Sequence, residues 1–399
     1  MKESEEILMK RLQVLFLVAL SSSLMLFGCG KKDEEVSETL VQPIVEPITE
    51  PTTPEEESEE PQEPEDEADV PPQEGMVRSS LTNEWIDGSL EDVRPIAVMS
   101  PNDSGALPHY NFSKADLLYE CPVEGGITRS MAVFKDWQNL ERIGNVRSSR
   151  DYFIYWALEW DSIYVHFGGP FYIDDLIEQE STNNITGCSY GAGGKSGLYE
   201  NAFYRATDRS APQNAYTSTE GINSAIDKLG YSKTYRDNYY EPDHFKFASE
   251  SEPNTLDSYA DAVSAKEIDL SKPYPITKTA FTYNEEDGLY YRSMYGKPDV
   301  DAANGSQQLA FKNVLVQFAY HEVRDAKGYL AFQVHDTTRG GYFFTNGKAI
   351  HVNWEKSTDY SPTKFYDDDG NEIQLNTGKT MICVVKDTDT INVDGNALK

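Results

Sequence analysis

Residues Lys31–Glu74 contain no aromatic residue and are built almost entirely from Glu, Asp, Pro, Ser, Thr and Val, with Glu55-Glu-Glu-Ser-Glu-Glu60 at the centre. That stretch sets where a folded body can begin. Such a composition cannot bury enough apolar surface to offset the entropy of ordering the chain, and proline with like-charge repulsion extends it. Residues 29–75 are therefore expected to be a disordered acidic stalk. At about 2–3 Å per residue, a mostly extended stalk would hold the rest of the chain more than about 50 Å from its origin. A spacer through a cell-wall layer and a merely solubilising linker are both consistent with it.

What precedes the stalk explains why a spacer would be needed. Lys10-Arg11 is followed by an apolar run within Ile7–Phe27 that ends in Leu26-Phe27-Gly28-Cys29. A basic start, a short apolar core and a small residue before the break describe a secretory signal. A Cys directly after Gly28 makes it similar to a bacterial lipoprotein signal, which implies cleavage before Cys29 and lipid attachment to its sulfur. Residues 1–28 are read as the signal peptide, and two or more acyl chains give a stable anchor. An uncleaved membrane anchor is the alternative, because the run is close to spanning length. The three Glu residues before Met9 are unusual for a signal, so translation can start at Met1 or Met9. Both readings place the remainder outside the cytoplasm.

The formal net charge is −32, and Cys29–Gly75 carries 17 acidic and 2 basic residues. The part after Gly75 is thus acidic as well. Nucleic acid is an unsuitable partner, since neutralising phosphates needs a basic face. An anion site would have to be local, against the overall field. Cys121, Cys188 and Cys383 have no metal-type spacing and form an odd set, so they are read as buried thiols. No metal site and no cofactor site is indicated; G-x-G-x-x-G and G-x-x-x-x-G-K are absent.

The expected fold class is α+β, with a mixed α/β domain over 76–248 whose sheet is partly parallel. A linker over 249–275 and a β-rich antiparallel domain over 276–399 follow. In the first half, strands are expected at Arg94–Met99, Asp116–Glu120 and Arg129–Phe134. Ser148 or Ser149 is placed to cap a helix from Arg150 to Glu159, with a strand at Ser162–Phe167 completing a βαβ unit. Asp174–Glu180 reads as a short helix. Thr217-Ser-Thr-Glu220 reads as a capping box for a helix stopped by Gly230. In the second half, strands are expected at 280–283, 289–293, 314–320, 329–334, 341–345, 348–354 and 381–385. They form a small antiparallel sheet, a sandwich or an open barrel. Asn346-Gly347 is a two-residue hairpin turn, and Asp367-Asp-Asp-Gly-Asn-Glu372 is a turn that lacks the length of a calcium loop.

Several stretches resemble the YerB-like lipoprotein family. They are Arg94-Pro-Ile-Ala-Val-Met, Ser113-Lys-Ala-Asp, Val123-Glu-Gly-Gly-Ile-Thr-Arg129, Ile143-Gly-Asn-Val-Arg-Ser-Ser-Arg150 and Arg209-Ser-Ala-Pro-Gln-Asn214. Tyr342-Phe-Phe-Thr-Asn-Gly-Lys348 and Asn371-Glu-Ile-Gln-Leu-Asn-Thr-Gly378 are similar to its second domain. The resemblance implies a two-domain, lipid-anchored surface protein of Firmicutes-like, Gram-positive bacteria, and it brings no mechanism. Gln213 stands where the family usually has His, and Gly168-Gly-Pro170 where it tends to have Gly-Gly-Ser.

The chemistry of interest clusters around Ile143–Gly169. Arg147 and Arg150 flank Ser148 and Ser149 at a helix start, where free N–H groups and the helix dipole favour an anion. Arg205 and Arg209 add two more guanidinium groups, suited to bidentate recognition of phosphate or carboxylate. These six residues are the expected ligand-binding set, with a cell-wall polymer or a lipid-linked precursor as the expected partner. The opposing expectation is that the arginines form structural ion pairs with Glu124, Asp151 and Asp208. His166, at a strand end before Gly168-Gly169, and Glu124 could be an acid–base pair of a cell-wall hydrolase or transferase; no nucleophile elbow accompanies them. A binding or scaffold protein of the cell envelope is the leading expectation. The enzyme and a scaffold for an unknown protein partner are the alternatives.

Overall fold

Every interior residue of Ile96–Pro101, Leu117–Pro122 and Thr128–Phe134 is buried on both sides, the pattern of strands covered on both faces of a sheet. The structure, a computed structural model, describes residues 70–399. The signal peptide, Cys29 and nearly all of the stalk lie outside the described residues. Val70–Gly75, the last residues assigned to the stalk, are exposed.

We label the elements of the central sheet and its main helices in chain order. They are β1 (Ile96–Pro101), β2 (Leu117–Pro122), β3 (Thr128–Phe134), α1 (Asp151–Leu158), β4 (Ile163–His166) and β5 (Asn184–Thr186). Then follow α2 (Thr219–Leu229), β6 (Val263–Ser264), β7 (Asn313–Ala319), β8 (Asp336–Thr345), β9 (Lys348–Lys356), β10 (Lys364–Tyr366) and β11 (Thr380–Lys386). Among the described residues the sheet has eleven strands in the order β6-β9-β8-β7-β11-β2-β3-β1-β4-β5, with β10 also on β9. The pairs β7/β11, β11/β2, β1/β4 and β4/β5 are parallel; the others are antiparallel. The first part of the chain is thus mixed α/β with a partly parallel sheet, and the later part is β-rich and largely antiparallel.

Three sequence expectations change in detail. The parallel partner of β4 is β1, not β3, the strand expected before the helix; β3 runs antiparallel to β1, and the short strand Ile143–Gly144 lies between β3 and α1. The two parts are not separate layers of structure, because β11 pairs with β2 from Thr380↔Leu117 to Cys383↔Glu120 and joins them into one sheet. The stretch read as a linker is packed: it supplies β6 and the strand Glu267–Asp269, and Leu256, Ile268, Leu270 and Tyr274 are buried.

Alternation along the strands feeds two cores. Ala97, Met99, Leu117, Tyr119, Ile382 and Val384 pack under α1 through Tyr152, Phe153 and Trp156. Ile96, Val98, Leu118, Met381, Cys383 and Val385 face the other way. There they meet α2 (Ile222, Ala225, Ile226) and a second antiparallel sheet, seven-stranded among the described residues, through Ile268, Phe281, Tyr290 and Val393. Ser218, rather than Thr217, caps α2 by accepting from Gly221 N, and Gly230 ends it at φ 74°.

Candidate anion site

The loop between Asn145 and Arg150 is threaded across the C-terminal ends of two parallel strands, where open α/β sheets collect ligands. Ser100 Oγ donates to Asn145 O (2.7 Å). Arg147 N donates to Met99 O at the end of β1, Phe167 N donates to Arg147 O, and Ser149 N donates to Gly168 O, each at 2.9 Å. These bonds fix the loop to β1 and to the exit of β4. Arg129 enters from β3, opposite Pro101 and Cys121.

Three arginines converge here. Arg150 is almost wholly buried and forms a forked pair with Glu124: Nε donates to Oε2 at 3.0 Å and Nη2 donates to Oε1. Burial pushes the Glu124 carboxyl up, but Arg150 and Arg129 outweigh it and hold the group below its usual range. Arg129 Nη1 donates to Ser148 O, while its buried Nε has no partner. Burial, and then the neighbouring Arg150 charge, push the Arg129 guanidinium down to about 9. Arg147 is half-buried, and burial lowers it too, with Asp103 acting against that and Arg150 and Arg205 adding to it. Among the described residues its guanidinium has no hydrogen-bond or ion-pair partner. An arginine that is desolvated, close to like charges and unpaired is a costly arrangement that an anion would relieve.

The other expected site residues divide. Arg205 lies at the edge: it is exposed, donates to Asn214 Oδ1 (2.9 Å) and sits 4.6 Å from the centre of the Phe167 ring. Arg209 is used elsewhere, donating to the backbone oxygens of Ala106 and Pro108. Ser148 is partly exposed at the site. Ser149 is wholly buried, and its Oγ accepts from Tyr164 OH (2.9 Å) and donates to Arg150 O (3.2 Å). Neither serine caps α1. Arg150 occupies that position without a side-chain bond, and the Asp151 carboxylate lies at the helix start, held by Arg324 and the N–H of Tyr152. The N-terminus of α1 is therefore already filled by an acid, and the anion reading falls on the guanidinium groups alone.

His166 and Glu124 are not assembled as an acid–base pair. Glu124 is engaged by Arg150, and His166 is wholly buried, with Nδ1 2.9 Å from Gly168 O and Nε2 3.1 Å from the Asn184 side chain. Gly168 O can only accept, so Nδ1 carries the proton, and burial lowers the tendency of the ring to take a second one.

Sequence reasoning passed over Arg129, although its position after Gly125-Gly126 at a strand start was visible. It also passed over a rim supplied by the strands His321–Val323 and Leu330–Phe332, which carry Arg324 and Tyr329 beside them. The Arg150 guanidinium lies 5.2 Å from the Tyr329 ring centre, that of Arg324 lies 4.4 Å from the Tyr172 ring, and the two tyrosine rings are 5.3 Å apart. Nothing local in the sequence links residue 324 to residue 151.

Residues 81–232 match the N-terminal domain, and residues 270–382 the C-terminal domain, of a family described as protein of unknown function (DUF3048). The chain belongs to this two-domain family. A relative from Bacillus subtilis (strain 168), named "Putative lipoprotein YerB", is 27% identical over 330 residues, covering 81% of this chain and 91% of its own. The crystal structure of the Bacillus subtilis YerB protein matches with a TM-score of 0.64 at 24% identity, over 77% of this chain and 96% of that one. The two chains therefore share a fold. Among the described residues no helix is long and apolar enough to cross a membrane.

Proposed function

We propose that this is a lipid-anchored binding protein of the cell envelope, tethered through Cys29 and holding an anionic group at Arg129, Arg147 and Arg150, with Arg205 at the edge. The unpaired, half-buried guanidinium of Arg147 between other arginines carries the reading. The chain as a whole has a net charge of −32 and stays acidic after Gly75, so a free cation held in this position serves a local purpose. The lipoprotein name of the Bacillus subtilis relative supports the anchor. The ligand class is a phosphate or carboxylate on a cell-envelope polymer or a lipid-linked precursor. Planar guanidinium forks match both groups, and the tyrosine and phenylalanine rings beside them offer stacking surfaces for an attached sugar or lipid neck.

The test uses the full chain in detergent micelles, with peptidoglycan, teichoic polymers and polyprenyl phosphates as separate ligands. Binding to one of them, weakened about 10- to 100-fold by Arg147→Gln in a folded chain, is the expected result for loss of one charge-assisted contact. Equal binding by the variant would remove the site.

A further inference from the structure

A cleft with a volume of about 400 Å3 has none of the arginines in its lining. It is bordered by Ser113 and Ala115 and by Thr377–Lys379, which belong to or adjoin two stretches singled out in the sequence, together with the 287–289 turn and Leu309–Lys312. Its wall is apolar: Phe112, Leu309 and Phe311 are each at most 4% exposed. Lys312 and Lys379 line it half-buried. Lys312 Nζ donates to Asn346 Oδ1 (2.9 Å), and Lys379 Nζ donates to Ser113 O. Among the described residues neither ammonium has a carboxylate within ion-pair distance. Burial lowers the proton affinity of both, with Asp287 acting against it at Lys312 and Asp116 and Glu84 at Lys379. Gly378, at φ 134°, brings backbone against the cleft; a Cβ there would lie 2.8 Å from Lys312 Cβ.

The remaining charges are at the rim. Glu84 and Asp287 are exposed. Asp287 accepts from Tyr291 OH (2.6 Å) and Leu289 N (3.1 Å). The cleft thus has cations half-buried against an apolar wall and anions at its mouth.

We propose that this cleft is a binding site for a small zwitterion, a carboxylate and an ammonium on an apolar body, as in amino acids and short peptides. The carboxylate would take the donors left on Lys312 and Lys379, the ammonium would face Glu84 and Asp287, and the body would lie against Phe112, Leu309 and Phe311. The volume is in the range of small-molecule sites, whose few placed polar groups fix orientation.

The experiment is calorimetric or NMR titration of the full chain in detergent with leucyl-leucine, leucyl-leucinamide and N-acetyl-leucyl-leucine. The expected result is saturable binding of the parent dipeptide. Removing the carboxylate as the amide should weaken it about 10- to 100-fold. Acetylating the amine should weaken it a few-fold, because rim charges are screened. Lys312→Gln and Lys379→Gln should reduce binding, and Arg147→Gln should leave it unchanged. Absence of saturable binding overturns the proposal. So does an amide that binds as well as the acid, an acetylated form that binds as well as or better than the parent, or a loss caused by Arg147→Gln. The three ligands decide the matter on the unaltered chain if a lysine variant fails to fold.

Discussion

Arg292 Nη2 lies 2.7 Å from Glu120 Oε2, and this wholly buried ion pair joins residues 172 positions apart. Glu120 is on β2 of the central sheet, and Arg292 is on the strand Leu289–Met294 of the second sheet. The same guanidinium donates through Nη1 to Asp299, while Glu120 also accepts from Thr128 Oγ1 (2.5 Å) and Thr279 Oγ1 (2.9 Å). Nearly every charged atom of the clasp is therefore matched, the condition under which a buried pair is tolerated.

Replacing Arg292 by Met would leave Glu120 and Asp299 buried without a cation. The expected loss is about 3–5 kcal/mol, read as a lowered urea midpoint at unchanged m-value. A loss below about 1 kcal/mol would mean that the carboxyls are readily neutralised in place.

Arg147 and Arg150 should behave oppositely although they are three residues apart. Arg150→Gln releases Glu124 from its fork and should cost about 1–3 kcal/mol in a partly buried pair. Arg147→Gln breaks no bond within the described chain and removes a repulsive charge, so its stability should stay within about 0.5 kcal/mol of the parent or rise. Thermal melting of the two variants checks this, and a large loss for Arg147→Gln would show a structural role for that side chain.

Much of this arrangement was legible in the chain, and the part that was not has a common cause. Strands such as 128–134 and the Asn346-Gly347 turn, observed at φ 48° and 72°, are set by residues a few positions apart. The cluster of Arg129, Arg147 and Arg150 was partly legible because a short loop and a strand end deliver it. The bonding of Arg209 was not legible because its partners, Ala106 and Pro108, are about a hundred residues earlier. The Arg324–Asp151 pair and the β11–β2 pairing, which make two sequence segments into one sheet, depend on contacts across some 170 and 260 residues. No local pattern reports such pairings.

His109 should make stability fall as the solution is acidified. Its ring is wholly buried, Nε2 lies 2.8 Å from Pro101 O, and Nδ1 has no partner. Burial lowers its pKa from 6.5 to about 4; Arg292 and Arg209 add to this, and the bond to Pro101 and Asp301 act against it. The folded form thus binds its proton later than the unfolded form, so stability is full above pH 6.5 and is lost as pH falls toward 4. The slope is about 1.4 kcal/mol per pH unit for this group. Asp116 has the opposite sign: burial raises it from 3.8 to about 6, so its protonation favours the fold as pH falls through that window. Comparing the parent with His109→Gln separates the two, since only the histidine slope should disappear. Parallel urea-midpoint curves from pH 7 to 4 would contradict the assignment.

Cys121 and Cys383 lie near the junction of β2 and β11, where Cys383 is in register with Glu120. Strand alternation nevertheless sends their side chains to different faces: Cys121 packs in the core under α1 and Cys383 in the core shared with the second sheet. Thiols on opposite faces of a sheet cannot meet the geometry of a disulfide without moving the backbone. Burial also raises both well above the usual thiol range, so little nucleophilic thiolate forms in the folded chain. Cys188 is only partly buried, and burial raises it as well, with Arg205 acting against it. In a Cys29→Ser chain at pH 8, an aromatic disulfide reagent should therefore modify Cys188 alone, and slowly, while the other two react only after urea unfolds the sheet. Mild oxidation should produce no Cys121–Cys383 bridge. Fast reaction of all three thiols in the folded chain would mean that the β2–β11 junction opens far more readily than its burial implies.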